Sequence, residues 1–319
     1  MRSYGARTRP ACNSERIPGP TTEQQAIVDA VPGGSKLKFK VSAGAGKISP
    51  RVTPVTEIQS CLPQSVQKTR VIPWEGNHWS DKALTQSRGG RHIPFDAVAL
   101  LLAVNRKVHR AYNRTRDSNF SLDGLTGFDL CGKTVAVVGT GKIGCVFAKI
   151  MLGSGCEVIG FDPYPSAEFQ ALGLRYAKMD EIGEKAEIIS LHCPLTPETY
   201  HIINAKTLER AKGGAILTNT SRGGLVDTEA VIEALKSGLL GGLGIDVYEQ
   251  EADLFFRDLS SEIITDDVFQ RLVSFPNVIV TGHQAYLTRE ALTTICETTL
   301  KSITAFEKNQ VLENEVKVR

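Results

Sequence analysis

Thr134-Val-Ala-Val-Val138, running into Gly139-Thr140-Gly141-Lys142-Ile143-Gly144, decides the fold. The first five residues read as a strand buried on both faces, and the glycines open a helix over residues 142–153. A bare Gly-x-Gly-x-x-Gly is weak. Between a strand and a helix it gains a mechanism. Gly139 allows a tight turn, Gly141 lets a pyrophosphate approach the backbone, and Gly144 lets helix and strand pack closely. Free amides at the helix start then face phosphates.

The next strand, Val158–Phe161, ends at Asp162, 18 residues beyond Gly144. An acid there accepts hydrogen bonds from the adenine-ribose hydroxyls and repels a 2′-phosphate, so NAD is favoured over NADP. Asp162 also suits the plainer role of capping the following turn. Further strand-like runs follow at Ile188–Leu191, Ala215–Thr218, Gly242–Ile245 and Val278–Val280, separated by helical runs at 205–210 and 228–237. This alternation predicts an α/β fold, a doubly wound parallel sheet of Rossmann type. A helix is expected over 96–113, before a linker containing Ser121, Asp123, Gly124 and Gly127. An amphipathic helix over 289–308 closes the chain.

Ligands in such sheets bind beyond the carboxyl ends of the strands. Three strand ends carry chemistry there. One runs into Thr220-Ser221-Arg222, one into Asp246-Val-Tyr-Glu-Gln-Glu251, and the last into Thr281-Gly-His283-Gln-Ala. Reduction of a 2-keto acid needs a hydride donor, a proton donor for the carbonyl oxygen and an anion anchor. His283 suits the proton, Arg222 the anion, and a carboxylate at Glu251 would favour the protonated imidazole. Taken singly, Arg222 reads equally as a surface residue, His283 as a buried, satisfied histidine, and Glu251 as a helix-start acid.

From about Ala97 to Phe306 the chain resembles the D-isomer-specific 2-hydroxyacid dehydrogenase family, most closely its D-lactate dehydrogenase branch. The resemblance rests on the Ala97–Lys107 stretch, Arg114-Thr-Arg with Asn119-Phe-Ser-Leu-Asp-Gly124, and the glycine loop. It continues through His192-Cys-Pro-Leu-Thr-Pro-Glu-Thr199, Asn219-Thr-Ser-Arg-Gly-Gly224, Asp246–Phe256, Ser274-Phe-Pro-Asn-Val and Gly282-His-Gln-Ala. It implies Arg222 as substrate anchor, His283 as general acid/base and Glu251 as its partner. It places NAD against Lys142, Ile143, Asp162, Cys193, Pro194, Thr199, Thr220, Ser221, Arg222 and Asp246. Cys193 is then a backbone contact rather than a nucleophile, and Asp246 approaches the nicotinamide amide. Tyr286 is implied on the substrate side, where the lactate branch commonly carries Phe. A homodimer joined through the cofactor domains is implied as well, with the 96–113 helix as the place to look.

Residues 1 to about 93 depart from that family. They carry 14 basic against 6 acidic residues, a net of +8 inside a chain of net charge +2. Pro, Gly, Ser and Thr are scattered among them, which reads as an irregular basic segment replacing most of the family's substrate domain. The domains expected are therefore 1–93, an NAD-binding domain over 94–285, and a C-terminal helix and tail over 286–319. One capped helix is expected at 22–31. Residues 21–47 resemble the start of a superfamily 1 helicase, with Gln25 and the phosphate-loop-like Val41-Ser-Ala-Gly-Ala-Gly-Lys47. Ile48 stands where Ser or Thr should hold Mg²⁺.

The seven cysteines form no Cys-x-x-Cys pair, which argues against a disulfide framework or a zinc site. A reducing compartment follows, and the cytoplasm is expected ahead of the mitochondrion. Pro10, Pro18 and Pro20 interrupt any amphipathic transit helix at the Arg-rich start. The longest apolar run, Ala97–Val104, is too short for a bilayer. No metal, membrane or nucleic-acid partner is expected. The leading expectation is an NAD-dependent D-2-hydroxyacid dehydrogenase acting on a small 2-keto or 2-hydroxy acid, lactate and pyruvate first, with impairment by loss of the substrate domain in view. An NAD-binding module without turnover is the alternative. A nucleic-acid-dependent ATPase ranks last.

Overall fold

The computed structural model describes residues 92–311. The expected helix at 22–31 and the helicase-like stretch at 21–47 lie outside the described residues. Within them the chain runs α1 (His92–Arg106), α2 (Val108–Arg116), β1 (Thr134–Val138), α3 (Lys142–Gly153), β2 (Glu157–Phe161), α4 (Ala167–Ala171), β3 (Arg175–Tyr176) and α5 (Met179–Lys185). It continues through β4 (Ile188–Leu191), α6 (Ala205–Leu208), β5 (Ala215–Asn219), α7 (Thr228–Lys236), β6 (Leu240–Ile245), α8 (Asp267–Val273), β7 (Val278–Val280) and α9 (Arg289–Glu307).

All seven strands are parallel, in the order β3-β2-β1-β4-β5-β6-β7. This is the doubly wound Rossmann-type sheet expected from the sequence. The strand order reverses direction between β1 and β4, the switch point where such sheets bind ligands.

Alternation along β1 explains the two layers of helices. Val135 and Val137 join a buried cluster with Leu101 and Val104 of α1 and Phe147 and Met151 of α3. Ala136 and Val138 point the other way, into a cluster with Ile182 of α5, Val231 and Leu235 of α7, and Leu272 of α8. The helix α1 crosses the sheet closely because β6 is stripped of side chains beneath it. A Cβ on Gly242 would collide with Val104 Cγ1, and one on Gly244 would lie 3.0 Å from Leu100 Cβ.

One local expectation is corrected. The single helix over 96–113 is two helices, beginning at His92 and breaking at Lys107, whose φ of 50° is left-handed. The break is imposed by tertiary bonds. Asn105 both gives to Phe128 O (2.8 Å) and takes from Phe128 N (2.9 Å), while Lys107 Nζ donates to Thr126 O at 2.6 Å. The edge strand β3 leaves no mark in the sequence, since two residues carry no periodicity. Among the described residues, no helix is long and apolar enough to cross a membrane.

Candidate active site at the carboxyl ends of the strands

The glycine loop is built as its spacing implies. Gly139 has φ +95°, and a Cβ there would strike the backbone of His192 and Cys193. A Cβ on Gly144 would run into Gly139 O and sit 3.1 Å from Val137 Cγ1. Gly141, which precedes the first turn of α3 with Lys142 and Ile143, faces open space: a Cβ would meet nothing within 4 Å.

Asp162 meets the plainer of its two sequence readings. Its Oδ1 accepts the Tyr164 amide at 2.8 Å, capping the turn, and its Oδ2 accepts Thr140 N at 2.7 Å and Thr140 Oγ1 at 3.2 Å. A carboxylate offers about four acceptor sites, so capacity remains for a ribose hydroxyl. After β4, Thr199 Oγ1 donates to Pro194 O at 2.7 Å and accepts Thr196 N at 2.7 Å, folding the 193–199 loop on itself. Ser221 Oγ donates to Cys193 O at 2.6 Å and joins that loop to the one after β5. Burial pushes the Cys193 thiol up to about 11, which leaves it protonated at neutral pH and poorly nucleophilic. Buried His192 is driven down to about 3 and stays neutral, bonded to Ser190 Oγ at 2.9 Å.

Arg222 is carried on a loop shaped by Asn219, whose Oδ1 takes Ser221 N (3.0 Å) and whose Nδ2 gives to Arg222 O (2.8 Å). Arg222 Nη1 donates to Ser221 O at 2.7 Å. A second brace was not legible in sequence. His201, itself at φ 49°, donates its amide to Gly224 O (2.9 Å), and its Nε2 meets Glu249 Oε1 at 2.6 Å. Tyr200 stacks on the His201 ring at 3.9 Å and donates its hydroxyl to the same Glu249 oxygen at 3.2 Å. The partners stand 48 residues apart in sequence, and no local pattern joins them.

The segment after β7 is organised by Asp246. This fully buried carboxylate accepts Thr281 Oγ1 (2.5 Å), Gln284 N (2.8 Å) and Ala285 N (2.7 Å). These bonds flank His283 and hold it at φ 55°, an uncommon conformation for a residue with a side chain. Its Nδ1 faces Glu251 Oε1 at 2.9 Å, and Glu251 Oε2 takes the Tyr248 amide at 3.1 Å. Phe256 lies against the imidazole at 5.8 Å and Tyr286 meets it edge-on at 6.3 Å between centroids. Burial, reinforced by the charge of Asp246, raises the Tyr286 hydroxyl above the usual phenol range. β6 lies between β5 and β7, so Arg222 and His283 leave strands separated by two sheet spacings, about 10 Å.

Two features fit a dinucleotide bound across this rim. The glycine loop is open at Gly141, and the buried Thr220 Oγ1 has no hydrogen-bond partner among the described residues. No cluster of His, Cys, Asp or Glu among the described residues is placed to hold a metal ion.

Residues 98–285 match the D-isomer specific 2-hydroxyacid dehydrogenase NAD binding domain. The D-lactate dehydrogenase of Escherichia coli K12 is 52% identical over 220 residues, 69% of this chain and 67% of that protein. The structure solved in identifying the pyruvate reductase of Chlamydomonas reinhardtii superimposes with a TM-score of 0.68 at 42% identity, covering 70% of this chain and 68% of that one. The D-lactate dehydrogenase of Aquifex aeolicus, solved with NAD and lactic acid, gives a TM-score of 0.65 at 34% identity over 70% and 68% of the two chains. The chain belongs to the D-isomer-specific 2-hydroxyacid dehydrogenase family, a family of NAD-dependent oxidoreductases. Its match spans about two thirds of the length of these relatives.

Proposed function

We propose that this chain interconverts a small 2-keto acid and its D-2-hydroxy acid, with pyruvate and D-lactate as the preferred pair. The His283–Glu251 contact at 2.9 Å carries this reading. Because Glu251 engages Nδ1, the proton to be exchanged sits on Nε2, and the paired carboxylate fixes the orientation of the ring. When bound, the cofactor would donate the hydride as NADH and accept it as NAD⁺ in the reverse direction. Arg222 anchors the substrate carboxylate and polarises the carbonyl; its planar fork suits both oxygens. Tyr286, edge-on to His283, walls the substrate side, and its hydroxyl is the feature expected to tune chain-length preference. Asp246 keeps the His283 loop in its left-handed turn and, being fully buried, acts on the nicotinamide end of the site through that loop.

Gly139, Gly141, Lys142, Ile143 and Gly144 cradle the pyrophosphate in this reading. Asp162 takes the adenine ribose, and Cys193, Pro194, Thr199, Thr220 and Ser221 line the dinucleotide path. We place the protein in the cytoplasm and assign it a homodimeric state. Support for the dimer comes from the loop after α2. Arg114 Nη1 donates to Asp123 O (2.6 Å) and Ser121 O (3.3 Å), holding out Phe120 and Leu122, which are 74% and 80% exposed. Apolar side chains on a braced loop suit burial against a second copy.

The test is spectrophotometric: NADH absorbance should fall when pyruvate is added to the full-length chain. A second reading, NAD binding without turnover, is favoured by one observation, that residues 1–93 depart from the family's substrate domain. Calorimetry showing NAD affinity beside an absence of turnover on every 2-keto acid offered would establish it.

A further inference from the structure

Cys131 and Cys156 are far apart in sequence and adjacent in the fold. Gly132 N donates to Gly155 O at 2.8 Å and Glu157 N to Lys133 O at 2.9 Å, so the two segments lie side by side just below β1 and β2. Each sulfur lies against the residue that precedes the other cysteine. Cys156 Sγ donates to the carbonyl of Leu130, the residue before Cys131, at 3.2 Å, and a Cβ on Gly155, the residue before Cys156, would lie 3.0 Å from Cys131 Sγ. These bonds set Gly132 and Lys133 opposite Cys156, with Cys131 next along the turn that Lys133 N closes onto Leu130 O at 3.0 Å, so reaching the Cα separation of roughly 4.4–6.8 Å that a disulfide spans draws on that turn.

We propose that Cys131 and Cys156 form a dithiol that closes reversibly to an intramolecular disulfide when it meets a low-molecular-weight disulfide such as oxidised glutathione. The two thiols differ as such a pair requires. Among the cysteines of the described residues Cys131 alone is exposed, whereas Cys156 is buried. The Cys131 thiolate attacks one sulfur of oxidised glutathione and releases one glutathione thiol. The Cys156 thiolate then attacks the Cys131 sulfur of the mixed disulfide and releases the second. The protons shed by the two protein thiols end on the two glutathiones, and the protein loses two electrons to the oxidant. Burial and the neighbouring Cys131 hold the Cys156 thiol above its ordinary range, so ring closure is the slow step and quickens as pH rises.

The bond would staple a loop containing β1, the glycine turn and all of α3. It lies at the amino ends of β1 and β2, one strand length, about 15 Å, from the carboxyl ends that carry the active site. Stability is therefore the property it sets, and cofactor binding the property it spares.

The test equilibrates the full-length chain in buffers of varied glutathione ratio, then quenches with acid, alkylates, digests and reads the peptides by mass spectrometry. The expected product is a peptide pair linked through Cys131 and Cys156, reversed by dithiothreitol and absent from Cys131→Ser. The oxidised protein should melt on the order of 5 °C above the reduced one, with Cys131→Ser indifferent to the ratio. NADH affinity should agree within about twofold between the two forms. Cys131 bearing glutathione beside an alkylated Cys156, both thiols alkylated at every ratio, or a link formed only in denaturant would overturn the proposal. A linked protein that melts where the reduced one does would overturn the stapling role.

Discussion

His283 Nδ1 stands 2.9 Å from Glu251 Oε1, and the other oxygen of that carboxylate is anchored by the Tyr248 amide at 3.1 Å. The imidazole is thus oriented by a carboxylate that is itself held by backbone. Replacing the acid by an amide keeps the shape and removes the negative charge beside the ring. Glu251→Gln should lower kcat for pyruvate reduction about 100-fold while leaving the Kd for NADH unchanged. Steady-state kinetics paired with NADH fluorescence titration checks both halves.

Asp162 is expected to set cofactor choice. Asp162→Asn retains one acceptor for the Tyr164 amide but no longer repels a 2′-phosphate. NADH affinity should fall roughly tenfold, and the preference over NADPH should shrink by at least as much. Competitive titration with the two cofactors measures this.

Gly144→Ala tests the close approach beneath the cofactor loop. The added methyl meets Gly139 O, a backbone atom that cannot rotate aside. Urea unfolding should show a loss of about 2 kcal/mol, and NADH titration should show weakened binding from the displaced loop.

Asp96, on α1, supplies a pH dependence. Its Oδ2 is buried without a hydrogen-bond partner among the described residues, and burial, with the charge of Asp246 second, pushes its carboxyl up to about 6. The unfolded chain ionises this group near 3.8. Between those values the folded state holds the extra proton, so this group's contribution to stability falls as pH rises from about 4 to 6 and stays low above. Discounted for partial exposure, the penalty at neutral pH is about 1 kcal/mol. Asp96→Asn should therefore melt higher than the parent at pH 7.5 and level with it at pH 3.5, as calorimetry in two buffers would show.

Much of this architecture is legible in the sequence because buried parallel strands advertise themselves. β1, β4, β7 and α3 fall at the boundaries their apolar runs and glycines imply. What escaped depends on contacts between distant segments. Lys107 is an ordinary helix former, and only the Asn105 clamp on Phe128 explains the break there. Glu249 and Glu251 are equally acidic two positions apart, yet one faces His201 and the other His283. Spacing alone leaves that choice open. The Cys131–Cys156 seam is invisible for the same reason, since the strand pairing that creates it joins residues on either side of α3.

The most direct measurement follows pyruvate-dependent NADH oxidation by the full-length chain beside His283→Gln, with NADH binding titrated by fluorescence in both. The account predicts turnover by the parent about 1000-fold above the variant, with NADH affinities that agree within about twofold. A parent that binds NADH and reduces no 2-keto acid, or a variant that keeps the parent's rate, would contradict it.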